Sequence, residues 1–272
     1  MPSLFSGPLR RSAKGRGARA LGQNFLTDER IANRILDAAS ISPTDTVLEI
    51  GPGRGALTEK LVERASRVVA VEVDKKLIRE LQEKFGGARN LEIIHGDALR
   101  VPAGELRLPS KFKLVANLPY ASGAAILRRF LEEGPRPEVA VVMLQREVAE
   151  RIAAKPPHST LLTIAVQLFG KPKILFRVPP SAFSPQPKVE SAVIEIRVPE
   201  RSELLRNLDV AKFFTILKAG FSAPRKKLHN NLKKFVSSER LGELLKHLGV
   251  SSDARPAEIS VEDWTAIARA LA

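Results

Sequence analysis

Short apolar segments alternate with amphipathic helical segments over the first 200 residues, and this alternation is the strongest constraint on the fold. Strands alternating with helices favour a mostly parallel sheet with helices on both faces. The last two strands have no clear helix between them, which predicts an antiparallel edge. The predicted strands are Thr46–Ile50, Val68–Val73, Leu91–Ile94, Lys113–Ala116, Glu138–Leu144, Lys173–Val178 and Val189–Val198.

The pattern changes after Pro199, where only helical periodicity remains. The predicted helices there are Val210–Ala219, Lys226–Val236, Leu241–Leu248 and Val261–Ala270. The chain is therefore divided into a flexible basic arm at 1–20, an α/β domain at 21–200 and a small all-α domain at 201–272. The arm, rich in arginine and glycine, is either a solvated tail or a segment that contacts phosphates.

The net charge and the amino-acid composition limit what this protein can bind. The chain has 44 Lys and Arg against 30 Asp and Glu, a formal net charge of +14, which favours a polyanion and most often nucleic acid. It has no cysteine, and its four histidines are scattered without metal-ligand spacing, so no metal is expected. No apolar run approaches the roughly 18 residues of a membrane span. A cytoplasmic protein without a membrane partner is expected.

A glycine-rich turn follows the first long strand, where a doubly wound sheet binds nucleotides. Gly51 and Gly53 would let the backbone approach a ligand closely. Glu72, about 20 residues further on, suits ribose hydroxyls. These residues alone fit a methyltransferase and a dehydrogenase about equally, and a purely structural glycine turn is a third reading.

Two later features favour the methyltransferase. Asp97 ends the third strand and suits an adenine amino group. The fourth strand ends in Asn117, Leu118, Pro119 and Tyr120, which have no role in hydride transfer. The alternative is an ordinary turn in which the tyrosine packs.

The chemistry of an adenine amino group explains this second motif. Its lone pair is delocalised into the ring, so acceptors aimed at both N–H bonds would favour a tetrahedral nitrogen that can attack a methyl donor. Asn117 Oδ1 and the Leu118 carbonyl are the candidate acceptors, Pro119 stiffens the turn, and Tyr120 offers a face for stacking. Methyl transfer to a positioned amine requires neither a covalent intermediate nor a metal.

At this point the sequence resembles the rRNA adenine N6-dimethyltransferases, over nearly the whole chain from Ala20 to Leu232. The motifs that carry the resemblance are Leu21–Leu26, Glu49–Gly53 with Gly55–Thr58, Asn117–Tyr120, Val178–Phe183 and Pro185–Val189. The first and fourth of these resemble the bacterial branch that dimethylates two adjacent adenines near the 3′ end of small-subunit (16S) rRNA. The sequence departs from the family pattern at Ala121–Gly123 and Thr160–Leu162.

The resemblance implies a Rossmann-like, seven-stranded methyltransferase fold with S-adenosylmethionine as cofactor. It implies that Asn24 and Leu26 lie on a segment folded over the cofactor, and that Phe183 lines the target-base pocket opposite Tyr120. The alternative for Phe183 is a position in the apolar core. Lys188 is a candidate for a phosphate contact, and the alternative is that it is simply exposed to solvent. The implied cofactor contacts are Asn24, Leu26, Gly51, Gly53, Glu72, Asp97 and Asn117.

A basic cluster in the C-terminal segment is the predicted RNA contact, on a helix whose buried face carries leucines. It consists of Arg225, Lys226, Lys227, Lys233 and Lys234. A solvated basic face is the alternative. The expected partner is the small ribosomal subunit and its 16S rRNA, bound by a monomer. Two rivals stay open: a large-subunit rRNA adenine methylase conferring macrolide resistance, and a non-catalytic ribosome assembly or transcription factor.

Overall fold

The computed structural model describes residues 23–271, so the predicted arm at 1–20 lies outside the described residues. The strands are β1 (Phe25–Leu26), β2 (Thr46–Ile50), β3 (Arg67–Glu72), β4 (Leu91–His95), β5 (Lys113–Asn117), β6 (Val139–Gln145), β7 (Lys171–Val178), β8 (Phe183–Ser184) and β9 (Ser191–Arg197). The helices are α1 (Glu29–Ala38), α2 (Ala56–Arg64), α3 (Lys75–Phe85), α4 (Ala103–Leu106), α5 (Gly123–Glu132), α6 (Arg146–Ile152), α7 (Leu161–Gln167), α8 (Val210–Gly220), α9 (Leu228–Leu232), α10 (Ser238–His247) and α11 (Val261–Ala270).

Seven strands form one sheet in the order β4-β3-β2-β5-β6-β9-β7. Strands β2 to β6 pair in parallel, whereas β9 runs antiparallel to both β6 and β7. The α/β class, the seven-stranded sheet and the antiparallel pairing at one edge are confirmed. After β2 the chain builds outward first through β3 and β4 and then through β5 and β6. The order therefore reverses at β2, where open α/β sheets bind ligands at the carboxyl ends of their strands.

Side chains of alternate residues in the central strands point into two apolar cores, one on each face of the sheet. Val115 and Met143 face a core that includes residues of α1 and α2, whereas Leu114 and Leu144 face the other, which includes residues of α5 to α7. This arrangement explains why β5 and β6 are continuous apolar runs: they are covered on both sides and have no solvent face.

The helices that follow β9 pack directly on the second of these cores. Phe214 of α8 stacks against Phe169, with 6.3 Å between ring centroids, and Trp264 of α11 is completely buried. A single contiguous core thus joins α7 to the C-terminal helices. The part of the chain after β9 is all helical in the described residues, as predicted, and the domain boundary at 200/201 stays a prediction.

The predicted helix Lys226–Val236 is wrong in extent, because α9 covers only Leu228–Leu232. The Leu228 N–H bonds to the Ala254 carbonyl, and the Asn231 amide donates to the Gly220 and Ala223 carbonyls. These bonds tie α9 to the segments around Gly220 and Ala254, while the residues that flank it form turns and do not extend the helix. The cations of the basic cluster therefore flank α9 and do not form a stripe along it.

Candidate active site

The turn after β2 is shaped by glycines with left-handed backbone. Gly51 has φ +65° and Gly53 has φ +59°, a region that residues with a Cβ rarely adopt. A Cβ on Gly53 would lie 3.0 Å from Cδ1 of Phe25. The turn can therefore approach β1 and a ligand only because these positions carry no side chain.

Two carboxylates follow the neighbouring strands β3 and β4. Glu72 Oε1 accepts from the N–H groups of Val73 (2.9 Å) and Asp74 (3.0 Å), and Oε2 accepts from Gly53 (3.2 Å). Burial raises the pKa of Glu72, and these backbone N–H bonds oppose the rise. Asp97 Oδ1 accepts from the Leu99 N–H at 2.9 Å. Both carboxylates are thus held in fixed positions and keep further lone pairs for a ligand.

One cleft of about 1100 Å³, including its solvent-filled mouth, brings the predicted residues together. Its lining contains every predicted cofactor residue, namely Asn24, Leu26, Gly51, Gly53, Glu72, Asp97 and Asn117. It also contains Leu118, Pro119 and Tyr120. The cofactor residues and the Asn-Leu-Pro-Tyr motif therefore share one site at the point where the strand order reverses.

The short strand β1 forms one wall of this cleft. It pairs with β8 through Phe25↔Ser184 and Leu26↔Phe183, outside the main sheet. The Asn117 Nδ2 donates to the Asn24 carbonyl at 3.3 Å, so β1 is also tied to the end of β5. This bond orients the Asn117 amide, whose Oδ1 is the atom able to accept a hydrogen bond from a ligand.

The last two residues of the motif are held by the turn into α5. The Pro119 carbonyl accepts from the N–H groups of Ser122 and Gly123. A Cβ on Gly123 would lie 2.7 Å from Leu144 Cδ2 and 3.0 Å from Leu118 Cβ, so the packing here favours glycine at this one position of the departure at Ala121–Gly123. Tyr120 is partly buried in the cleft, and burial raises the pKa of its phenol, whereas a hydrogen bond to Ser191 opposes the rise.

Phe183 does not lie opposite Tyr120 in the cleft lining. It is 3% exposed, does not line the cleft, and packs in the core under α1 with Val178 and Val193. The alternative core position therefore describes its packing in this structure, and its role in a base pocket stays a prediction.

The predicted RNA-binding cations lie on the surface away from the cleft lining. Lys188, Arg225, Lys226, Lys227, Lys233 and Lys234 are all exposed. Lys227 Nζ forms an ion pair with Asp253 Oδ1 at 2.7 Å, so this cation already has a protein partner. The remaining members of the basic cluster stay candidates for phosphate contacts.

Glu49 also lines the cleft, although the sequence motifs predicted no role for it. Its carboxyl is 1% exposed, and Oε2 accepts from Thr58 Oγ1 at 2.7 Å. Burial raises the pKa of Glu49 to about 8, the Thr58 bond opposes the rise, and the charge of Glu72 adds to it. The signal that could have identified it is an acid inside the otherwise apolar β2.

We expect Glu49 to make folding stability depend on pH. The unfolded chain loses the Glu49 proton near pH 4.5 and the folded chain near pH 8, so the folded state binds more protons between these values. The free energy of unfolding should then fall as the pH rises from 5 to 8, by roughly 3–5 kcal/mol at most. Glu49→Gln should flatten this slope in urea unfolding measured across that range.

The control for this prediction is Glu83→Gln, which changes an exposed carboxyl on α3. This variant should keep the wild-type slope. Equal slopes in the wild type and Glu49→Gln would show that Glu49 does not hold its proton in the folded state.

The geometry of the cleft fits S-adenosylmethionine. Glu72 and Asp97 both line the cleft and offer acceptor oxygens, and the glycine turn beside them carries no side chains that would fill it. Within residues 23–271 no group of three or more His, Asp or Glu could hold a metal ion. No helix of that part of the chain is long and apolar enough to cross a membrane.

Solved structures support the same fold. The 23S rRNA methyltransferase ErmE matches with a TM-score of 0.72 and 28% identity, covering 91% of this chain and 99% of that one. A dimethyladenosine transferase from Plasmodium falciparum matches with a TM-score of 0.75 and 29% identity, covering 89% and 95%. Both similarities extend beyond the seven-stranded sheet into the C-terminal helices, because they cover about nine-tenths of this chain.

Sequence relatives and a family model complete the comparison. A ribosomal RNA small subunit methyltransferase A from Dehalococcoides mccartyi is 42% identical, covering 92% of this chain and 86% of the relative. The protein of that name from Pelotomaculum thermopropionicum is also 42% identical, covering 92% and 90%. The model of the ribosomal RNA adenine dimethylase family matches residues 15–272. This chain therefore belongs to the ribosomal RNA adenine dimethylase family.

Proposed function

We propose that this protein methylates N6 of two adjacent adenines near the 3′ end of 16S rRNA, with four methyl groups transferred in all. The observation that carries the proposal is that Asn117, Leu118 and Tyr120 line the same cleft as Glu72 and Asp97, the carboxylates suited to an adenosine. The family membership and the relatives at 42% identity support it.

The motif residues perform the chemistry by position. Bound S-adenosylmethionine supplies an electrophilic methyl group. Asn117 Oδ1 and the Leu118 carbonyl accept hydrogen bonds from the amino group, two before the first transfer and one before the second. These bonds direct the nitrogen lone pair toward the methyl group. Tyr120 stacks on the base, a contact worth roughly 1–3 kcal/mol. Glu72, Asp97 and Asn117 would hold the cofactor beside this nitrogen. The proton that the nitrogen gives up on methylation would pass to water, so no catalytic histidine is required.

The small subunit is favoured over the large subunit by the comparisons. The relatives named for the small subunit are 42% identical to this chain, whereas the 23S rRNA methyltransferase ErmE is 28% identical. The intact cleft argues against a non-catalytic factor, because Glu72, Asp97 and Asn117 all line it. The proposal places a monomeric enzyme in the cytoplasm, with small ribosomal subunits as its partner.

Methyl transfer to purified subunits tests the proposal. Small and large subunits from cells lacking both modifications are incubated with the protein and labelled S-adenosylmethionine. We expect label in adjacent N6,N6-dimethyladenines of the small-subunit RNA. Label in the large subunit instead would move the protein to the resistance methylases, and binding of the cofactor without label in either would contradict the proposed substrate.

We also propose that the exposed cations flanking α9 contact RNA phosphates. Replacing Lys226, Lys233 and Lys234 together by Gln should weaken binding to small subunits. The slope of log affinity against log salt concentration should decrease by about one unit for each lost phosphate contact. Filter binding at several salt concentrations measures this slope.

A variant of equal charge serves as the control. Replacing the exposed α3 residues Lys75, Lys76 and Arg79 by Gln also removes three positive charges. Its salt slope should stay near that of the wild type. Equal changes in the two variants would show that net charge, and not the surface around α9, determines binding.

A further inference from the structure

The side chain of Tyr120 is fixed at both ends. At the backbone end, Pro119 restricts the chain, and its carbonyl accepts from the Gly123 N–H at 2.7 Å. At the far end, the phenolic oxygen lies 2.6 Å from Oγ of Ser191, a residue 71 positions away in the sequence. The ring between these two points belongs to the wall of the cleft.

Ser191 is a rigid anchor for this bond. It begins β9, pairs with Gln145 of β6 on one side and Val178 of β7 on the other, and is completely buried. Since Gln145 is the last residue of β6, Ser191 lies at the carboxyl end of the parallel strands, where the cleft opens. Because the backbone of Ser191 is paired on both sides, its hydroxyl is a fixed partner for the Tyr120 phenol.

A base that stacks on Tyr120 requires the ring to present one face to the cleft. An unrestrained tyrosine would lose rotational freedom when the base arrives, which weakens binding and misaligns the amino group. The hydrogen bond to Ser191 fixes the plane of the ring before the base binds. No part of the resemblance or of the comparisons assigns a role to Ser191.

We propose that Ser191 is a positioning residue that holds the Tyr120 ring in the orientation required for stacking on the target adenine. The proposal rests on the proposed function, because it concerns the base that this site methylates. Ser191 acts through Tyr120 and does not itself contact the substrate.

Kinetics of two single variants and their combination test this proposal. Ser191→Ala and Tyr120→Phe each remove one partner of the bond, and the second retains the ring. Each should lower kcat/KM for the RNA by about three- to tenfold. The double variant should lose no more than either single variant, because both remove the same bond. The Kd for S-adenosylmethionine should stay within twofold in all three.

The matched control is Ser159→Ala, which also removes a buried serine hydroxyl. Ser159 Oγ has no hydrogen-bond partner among the described residues, and the residue does not line the cleft. It should retain wild-type kcat/KM. Wild-type kcat/KM in Ser191→Ala, or losses that multiply in the double variant, would overturn the positioning role.

A spectroscopic measurement separates this proposal from the proposed function. Tyr120 is the only tyrosine of the chain, so ¹³C-labelled tyrosine gives one Cζ resonance without assignment. Ser191→Ala should shift this resonance, whereas Ser159→Ala should not. An unchanged resonance in Ser191→Ala would overturn the proposal even if the enzyme is active. A shift in a protein that methylates no adenine would confirm the contact and refute the function.

Discussion

Asn117→Ala is expected to lower kcat for methyl transfer to small-subunit RNA by about 10²–10³-fold, the range found when one group aimed at a reacting centre is removed. The reason lies in the use of its amide. The nitrogen donates to the Asn24 carbonyl at 3.3 Å, which leaves Oδ1 to accept an adenine N–H. Without this acceptor the nitrogen lone pair stays delocalised in the ring. Single-turnover methylation with saturating cofactor measures the effect.

The variant also removes a tie between β1 and β5, so cofactor binding has to be measured separately. We expect the Kd for S-adenosylmethionine to rise by less than about tenfold, since one neutral hydrogen bond is lost. Asn33→Ala is the control, because Asn33 lies on α1 outside the cleft lining and accepts from Arg64. A kcat within threefold of the wild type in Asn117→Ala would refute its catalytic role.

Gly51→Val is expected to weaken S-adenosylmethionine binding at least about a hundredfold. Gly51 has φ +65°, and a β-branched side chain in this conformation costs free energy that the turn can relieve only by moving. A Cβ there would also lie 4.0 Å from the Asn117 carbonyl oxygen and from the Pro119 ring, so the branches of valine would enter the cleft. A hundredfold loss corresponds to about 2.7 kcal/mol. Isothermal titration calorimetry measures it.

Gly249→Val is the control that separates an effect on the cofactor site from the effect of backbone strain alone. Gly249 has a similar φ of +70°, but a Cβ there would have no atom within 4 Å. It should lower the thermal stability of the protein and leave cofactor affinity unchanged. If Gly51→Val bound the cofactor with wild-type affinity, the close approach of backbone and ligand at this turn would be refuted.

Much of the fold could be predicted because its determinants are local. The period of apolar residues distinguishes β5 from α5, and a glycine turn directly after β2 marks the place where an α/β sheet binds a nucleotide. The edge pairing of β7 with β9 followed from two strands without a helix between them. The bounds of α9 could not be predicted in this way, because the segment is tied to distant residues, through the Leu228 N–H to Ala254 and through the Asn231 side chain to Gly220.

In the candidate site, too, some features depend on local sequence and others on contacts between elements. Sequence patterns alone predicted the residue types of the cleft: the glycines, the carboxylates at the ends of β3 and β4, and the Asn-Leu-Pro-Tyr motif at the end of β5. These follow successive parallel strands, whose carboxyl ends must meet at one edge of the sheet.

The positions of other side chains near the cleft became known only from the packing of the folded chain. This packing buried Glu49 beside Thr58, placed Phe183 in a core, and set the Ser191 hydroxyl against Tyr120 across 71 residues. Each of these contacts depends on how two secondary-structure elements pack against each other. Periodicity and spacing carry no record of such packing, because it is set by the shape and volume of the whole core.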